Sequence, residues 1–348
     1  MCKNGLNIHI LTKKQRINAF TKLGDYLLSD APELQRVIDS AHRNNPWFTP
    51  ANTHRALGAI ADNLSTDKLQ EWLAPYPFDG DVDKTVGLVL AGNIPSVGFH
   101  DILCVLVAGF TVQVKTATVD PALTPHLLEK LQEIEPDFIP KIKVTDRLAN
   151  FDLVIATGSD NSSRYFTYYF GHKPHIIRKN RNSVAVLDGT ESTDEIRLLG
   201  HDIFDYFGLG CRSVSKLFVP EGYDPSAFFQ GIASFGDINN HHKYANNYDY
   251  NKSIYLINGD RHFDNGFLLL KPDERSASPL GVVYLETYQA NEKLCDRLNE
   301  LSPELQCVVS KESLAITAPV VGFGQSQQPA LNDYADRINT LDFLAAYR

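Results

Sequence analysis

Between residues 13 and 74 the apolar positions recur at helical spacing, most clearly Ile17, Phe20, Leu23 and Leu27, and Thr49-Pro50 reads as a cap followed by proline at the first helical position. From Thr85 the pattern changes to short apolar runs alternating with helical ones. It predicts strand 85–91, helix 97–108, strand 111–116, helix 121–134, strand 151–156, helix 160–169 and strand 174–178. Strands separated by helices of this length require right-handed crossovers, hence a parallel sheet with helices on both faces. A second series opens at Ser183-Val184-Ala185-Val186-Leu187 and continues through helix 193–207, strand 213–219, strand 281–286, helix 289–301 and strand 305–309. The chain therefore reads as α/β, with a tight junction near Asn182 between two halves and a cleft between them as the natural ligand site.

Composition narrows the function classes. With 348 residues, 43% hydrophobic, the chain is long enough for two packed domains and too apolar for disorder. Lys and Arg number 33 against 42 Asp and Glu, a net charge of −9, which argues against nucleic acid as a partner because phosphate backbones are bound by Lys and Arg. The longest apolar stretch, Ile102 to Phe110, is about half of what a bilayer-spanning helix needs. Met1-Cys2-Lys3-Asn4-Gly5 leads into mixed polar sequence without the apolar region of a secretory signal, so a cytoplasmic chain is expected. The cysteines Cys2, Cys104, Cys211, Cys295 and Cys307 are odd in number and lack close spacing, which fits neither a disulfide framework nor a zinc site. His241-His242 with His262 match no metal motif either, and Asn246 to Asn251 reads as a polar helix or loop; no metal is expected.

Neither GxxxxGK[ST] nor a GxGxxG opening a helix after the first strand is present. Two strand-to-helix turns remain as phosphate candidates, Gly92-Asn93-Ile94-Pro95-Ser96 and Thr157-Gly158-Ser159-Asp160, since a helix N-terminus offers unpaired N–H groups and a positive dipole end. Glycine and serine are also common at such turns in any α/β protein. Gly208-Leu209-Gly210-Cys211-Arg212-Ser213 is the most unusual local sequence. It places a thiol on a tight backbone between a helix and a strand, where glycines allow close approach and Arg212 favours the thiolate.

Asn93-Ile94-Pro95, Lys115, Thr157-Gly158-Ser159, Gly208-Leu209-Gly210-Cys211 and Val321-Gly322-Phe323-Gly324-Gln325-Ser326 occur in the order found in the aldehyde dehydrogenase superfamily. Over roughly residues 85 to 330 the chain resembles the acyl-CoA reductase branch, the LuxC-like fatty acid reductases. The resemblance implies an aldehyde dehydrogenase-like fold in which residues 1–182 hold the N-terminal helices and a dinucleotide-binding domain, 183–324 form the catalytic domain, and 325–348 return to the cofactor domain. It also implies that Cys211 is the acyl-accepting nucleophile, that Asn93 and the Cys211 N–H form the oxyanion hole, that Lys115 bonds the adenosine ribose and that Gly158 and Ser159 face the pyrophosphate.

Departures from the superfamily pattern sharpen the expectation. His175-Ile176-Ile177-Arg178-Lys179 stands where aldehyde-oxidising members carry Glu-Leu-Gly-Gly-Lys, which places His175 at the general-base position and removes the carboxylate that activates water. The plain alternative is a satisfied histidine at a strand start. Thr118 stands where NAD-preferring members often have an acidic residue, so NADP is expected, with NAD as the alternative. The Glu-x-Phe-Gly of many relatives is Ser278-Pro279-Leu280-Gly281 here, without the acidic contact. Pro75 to Lys84 is too short for the β-hairpin arm by which many relatives assemble, so a homo-oligomer is not carried over.

The expected activity is NADPH-dependent reduction of an acyl-CoA, or of an acylated partner protein, to the aldehyde through an acyl-cysteine. Two alternatives stay open: CoA-acylating oxidation of an aldehyde, and a non-catalytic nucleotide-binding relative that keeps Cys211 for packing.

Overall fold

The computed structural model describes residues 10–348, so Cys2 and the N-terminal reading lie outside the described residues. The chain divides into two units, one reaching to Lys179 and taking in Ala330–Arg348, the other formed by Asn180–Pro329.

The first unit begins with four helices, α1 (Lys13–Leu27), α2 (Pro32–Asn44), α3 (Pro50–Asn63) and α4 (Thr66–Leu73). A capping box starts α1: Thr12 accepts from the Gln15 N–H while the Gln15 side chain accepts from the Thr12 N–H. There follow β1 (Thr85–Val89), α5 (Phe99–Val107), β2 (Thr111–Lys115), α6 (Leu123–Ile134), β3 (Ile142–Val144), β4 (Leu153–Thr157), α7 (Asp160–Phe170) and β5 (His175–Arg178). The strands form a parallel sheet of order β3-β2-β1-β4-β5. The apolar stretch of the sequence supplies α5 from Ile102 onward, and this part has no polar stripe because it is buried all round; at the start of the helix Phe20 of α1 meets Phe99 edge-on at 6.3 Å.

Two features depart from the sequence pattern. Ile142-Lys143-Val144 forms β3, too short to show a period of two. The return from β3 to β4 is a strap without a helix, so that face of the sheet is covered in part by extended chain. Leu148 and Phe151 of the strap lie over Gly87, where a Cβ would come within 2.9 Å of Leu148, and Gln113 exchanges hydrogen bonds of 2.7 and 3.1 Å with the Ala149 backbone.

The second unit contains β6 (Asn182–Val186), α8 (Thr193–Phe204), β7 (Val214–Pro220), α9 (Pro225–Gly231), α10 (His242–Asn258), β8 (Phe263–Asp264), β9 (Leu269–Pro272), β10 (Val282–Tyr288), α11 (Asn291–Leu301), β11 (Leu305–Val309) and β12 (Val320–Val321). Their order is β12-β11-β6-β7-β10-β9-β8, parallel except for the antiparallel pair β8–β9. Alternate residues serve two cores: Ala185 and Leu217 join Leu199 of α8, whereas Val184, Val186 and Phe218 join Leu294 and Leu298 of α11. The helix expected over 193–207 ends at Phe204 because Tyr206, Phe207 and Gly208 all take positive φ, at 55°, 60° and 76°. That conformation suits glycine and strains the two aromatics. The chain then returns to the first unit, where α12 (Thr340–Ala345) follows Tyr334, whose hydroxyl accepts from the Trp72 indole at 2.9 Å.

Candidate functional site

In the first sheet β2 and β4 flank β1 on opposite sides, so the crossover direction reverses between β1 and β4. The crevice beyond the carboxyl ends of strands at such a point is where open α/β sheets bind ligands. Five of the sequence-derived residues meet at this edge. Asn93 is exposed in the turn after β1, Lys115 ends β2 half-buried, Thr118 is exposed in the next turn, and Gly158 and Ser159 join β4 to α7. Ser159 caps α7 by accepting from the Ser162 N–H at 3.3 Å. A Cβ at Gly158 would lie 2.8 Å from Phe166 and Ser162, and one at Gly92 would lie 2.5 Å from the Ala117 Cβ. Both turns are therefore bare backbone backed by close packing, a surface that fits the pyrophosphate of a dinucleotide.

A residue missing from the sequence reading ties two of these turns together. Asp120 is buried and accepts from the Leu123 N–H at 3.0 Å, from the Thr124 hydroxyl at 2.6 Å and from the Ser96 N–H, so the Asn93 turn is fastened to the turn that carries Thr118. Burial raises its pKa, and these donors counter the rise. Its signal in the sequence is an Asp with a Thr four positions later at a helix start.

His175 is not brought to this edge. It opens β5 opposite Val154, near the start of β4, whereas Arg178 lies opposite Thr157 at the carboxyl end. The physical reason is that the segment matched to Glu-Leu-Gly-Gly-Lys is itself a strand, and its two ends reach opposite edges of the sheet. His175 is exposed there, its Nδ1 2.8 Å from the Lys173 carbonyl. Arg178 is buried, ion-paired with Asp101 of α5, and donates to the Thr340 hydroxyl at 3.0 Å. Burial opposes its charge, and the Asp101 carboxylate outweighs that and raises its pKa.

Cys211 belongs to the second unit, half-buried in the turn between the left-handed residues and β7. Across that turn the Ser213 N–H donates to the Gly210 carbonyl at 3.0 Å and the Gly210 N–H to the Ser213 hydroxyl at 3.2 Å. Gln327 also donates to that hydroxyl, at 3.3 Å. The tail motif that precedes Gln327 is held by buried Asp202 of α8, which accepts from the Gly324 and Ser326 N–H groups at 2.6 and 2.9 Å. The other described cysteines are placed differently: Cys104 and Cys307 are fully buried, which pushes the thiol of the first well up and that of the second to about 11, and Cys295 lies on α11. Among the described residues no group of three or more His, Cys, Asp or Glu is placed to hold a metal, and no helix is long and apolar enough to cross a membrane.

No protein-family model matches the sequence, and no curated protein is similar to it in sequence. Solved structures do match. The NAD-dependent aldehyde dehydrogenase of Sinorhizobium meliloti superposes with a TM-score of 0.69 at 14% identity, over 90% of this chain and 75% of its own. The chain has the aldehyde dehydrogenase fold. Aldehyde dehydrogenase 21 of Physcomitrella patens, solved with succinate, gives a TM-score of 0.67 at 14% identity over 97% of this chain and 84% of its own. Betaine aldehyde dehydrogenase of Staphylococcus aureus, solved with NAD+, gives 0.65 at 12% identity over 90% and 75%. In this chain the first unit carries the sheet whose crossover direction reverses between β1 and β4, and the second unit carries the cysteine turn.

Proposed function

We propose that the protein reduces an acyl thioester to the aldehyde with a nicotinamide dinucleotide, NADPH in preference to NADH, and that Cys211 carries the acyl group. The observation that carries this reading is β5: the segment that would supply a water-activating carboxylate ends at one edge in His175 and at the other in buried Arg178. The Asp101 carboxylate against that second end is itself buried and paired with Arg178. In this reading the segment itself supplies no carboxylate to activate water, and an acyl group on Cys211 is kept for reduction.

In the proposed reaction the Cys211 thiolate attacks the thioester carbon, the bond from that carbon to the CoA sulfur breaks, and CoA takes up a proton as it leaves. The new thioester is close in energy to the old one, so the step is readily reversible. The Asn93 amide and the Cys211 N–H are the proposed donors to the tetrahedral oxyanion. Lys115 would hold the adenosine ribose, the neutral Thr118 would admit a 2′-phosphate, and Gly158 and Ser159 would face the pyrophosphate. When bound, the dinucleotide supplies the hydride that turns the acyl group into an aldehyde. Cys211 returns as the leaving thiolate.

The test is intact-protein mass spectrometry after incubation with medium-chain acyl-CoA, with and without NADPH, on the native protein and on Cys211→Ser. The expected result is an adduct of acyl mass on the native protein alone, lost on adding NADPH as aldehyde is released. No adduct across several chain lengths, in a protein that binds NADPH by fluorescence titration, would overturn the reading.

A further inference from the structure

Beneath the Cys211 turn both ladders of β6 lose register. Ser183 pairs with Val214 of β7, and the register slips between Ser183 and Val184; toward β11 it slips between Leu305 and Val308. Such irregularities re-aim side chains. Here the wholly buried Ser183 hydroxyl lies 3.0 Å from the Cys211 carbonyl oxygen and 3.2 Å from the Cys307 sulfur. A carbonyl can only accept and a hydroxyl has one proton, so Ser183 donates to Cys211 and the Cys307 S–H donates to Ser183. Burial keeps the Cys307 proton in place at neutral pH.

We propose that Ser183 and Cys307 are positioning residues for the nucleophile, a buried relay from the Cys307 thiol through the Ser183 hydroxyl to the Cys211 carbonyl. The inference rests on the reading of Cys211 as the acyl carrier. Ser213 grips the Gly210 N–H before Cys211, and the relay grips the carbonyl after it, so the backbone is fixed on both sides of the thiol. Neither hydroxyl nor buried thiol touches the reacting atoms in this scheme. Their effect is to hold Cys211 in one orientation, and a nucleophile held in attack geometry gains rate without gaining affinity.

The experiment is a double-mutant cycle with Ser183→Ala and Cys307→Ala, read twice: as kcat and KM of NADPH-dependent acyl-CoA reduction, and as the pH profile of iodoacetamide labelling of Cys211 by peptide mass spectrometry. Thermal unfolding of each variant fixes a working temperature at which all are folded. Ser183→Ala is expected to lower kcat about tenfold with KM within about twofold, and to slow Cys211 labelling. Cys307→Ala should lower kcat in the native background and have no further effect in Ser183→Ala, because the relay is already cut. Additive effects of the two substitutions, or a Ser183→Ala kcat within twofold of the native value, would overturn the proposal. If Ser183→Ala does not fold, Cys307→Ser against Cys307→Ala decides: the serine keeps a donor and should lose less, and equal losses would overturn the relay. Failure of the native protein to take an acyl group would refute the reductase reading, and the labelling cycle would still decide whether the relay positions Cys211.

Discussion

At the carboxyl edge of the first sheet, Asn93, Lys115, Thr118, Gly158 and Ser159 gather because neighbouring strands happen to end there, and each of them is exposed or half-buried. The Cys211 turn of the second unit is built the other way. Its shape is strained by two left-handed aromatics, and it is fixed by side chains that are themselves buried, Ser183, Ser213 and Gln327. One site is placed by topology and trimmed by local bonds, chiefly those of Asp120. The other is placed by hydrogen bonds from distant parts of the chain, and each bond is a point at which it can fail.

The largest effect that separates the two is expected at Arg178. Arg178→Ala leaves Asp101 buried without its partner, which should cost about 3–5 kcal/mol in urea unfolding of the first unit. If the units are supported independently, iodoacetamide labelling of Cys211 in the folded variant keeps its native rate. A loss of stability under about 1 kcal/mol would show that the pair is not what holds α5 and α12 to β5. A change in Cys211 labelling would show that the Cys211 turn depends on the first unit after all.

Lys115→Ala is expected to act on the topological edge alone. Removing one charged donor to a ribose should raise the NADPH dissociation constant about tenfold, equivalent to about 1.4 kcal/mol, with Cys211 labelling unchanged. Fluorescence titration measures it. An unaltered constant would take Lys115 out of the adenosine site and would leave the edge defined by its glycine turns.

The same contrast governs what could be read from the sequence. The first sheet was legible because its strands are short apolar runs and its turn residues sit next to them in the chain. The α5 helix was legible by the apolar run from Ile102 onward. Short strands such as β3 and β12 leave too few positions to show a period. The end of α8 was missed because nothing in Asp205-Tyr206-Phe207 announces positive φ in aromatic residues. Nothing local to Arg178 marks it as buried, since its partner Asp101 lies 77 positions away. Ser183 and Cys307 lie 124 positions apart, and a serine opening a strand carries no mark of a distant thiol.

His175 is where local reading and topology disagree, and it should give the smallest effect. Motif order alone gives it the general-base position. Yet β5 runs parallel to β4, and His175 is at its amino end while Lys115, Gly158 and Ser159 are at carboxyl ends. The strand spans His175–Arg178, so at about 3.3 Å per residue the imidazole backbone lies on the order of 10 Å from that edge. Its ring is already engaged with the Lys173 carbonyl of its own turn. His175→Ala is therefore expected to change kcat/KM for acyl-CoA reduction by less than about twofold, whereas loss of a true general base costs about 10²–10⁴. A hundredfold loss would mean that proton transfer is served from the amino edge of the sheet, and that strand topology does not sort the chemistry of this chain.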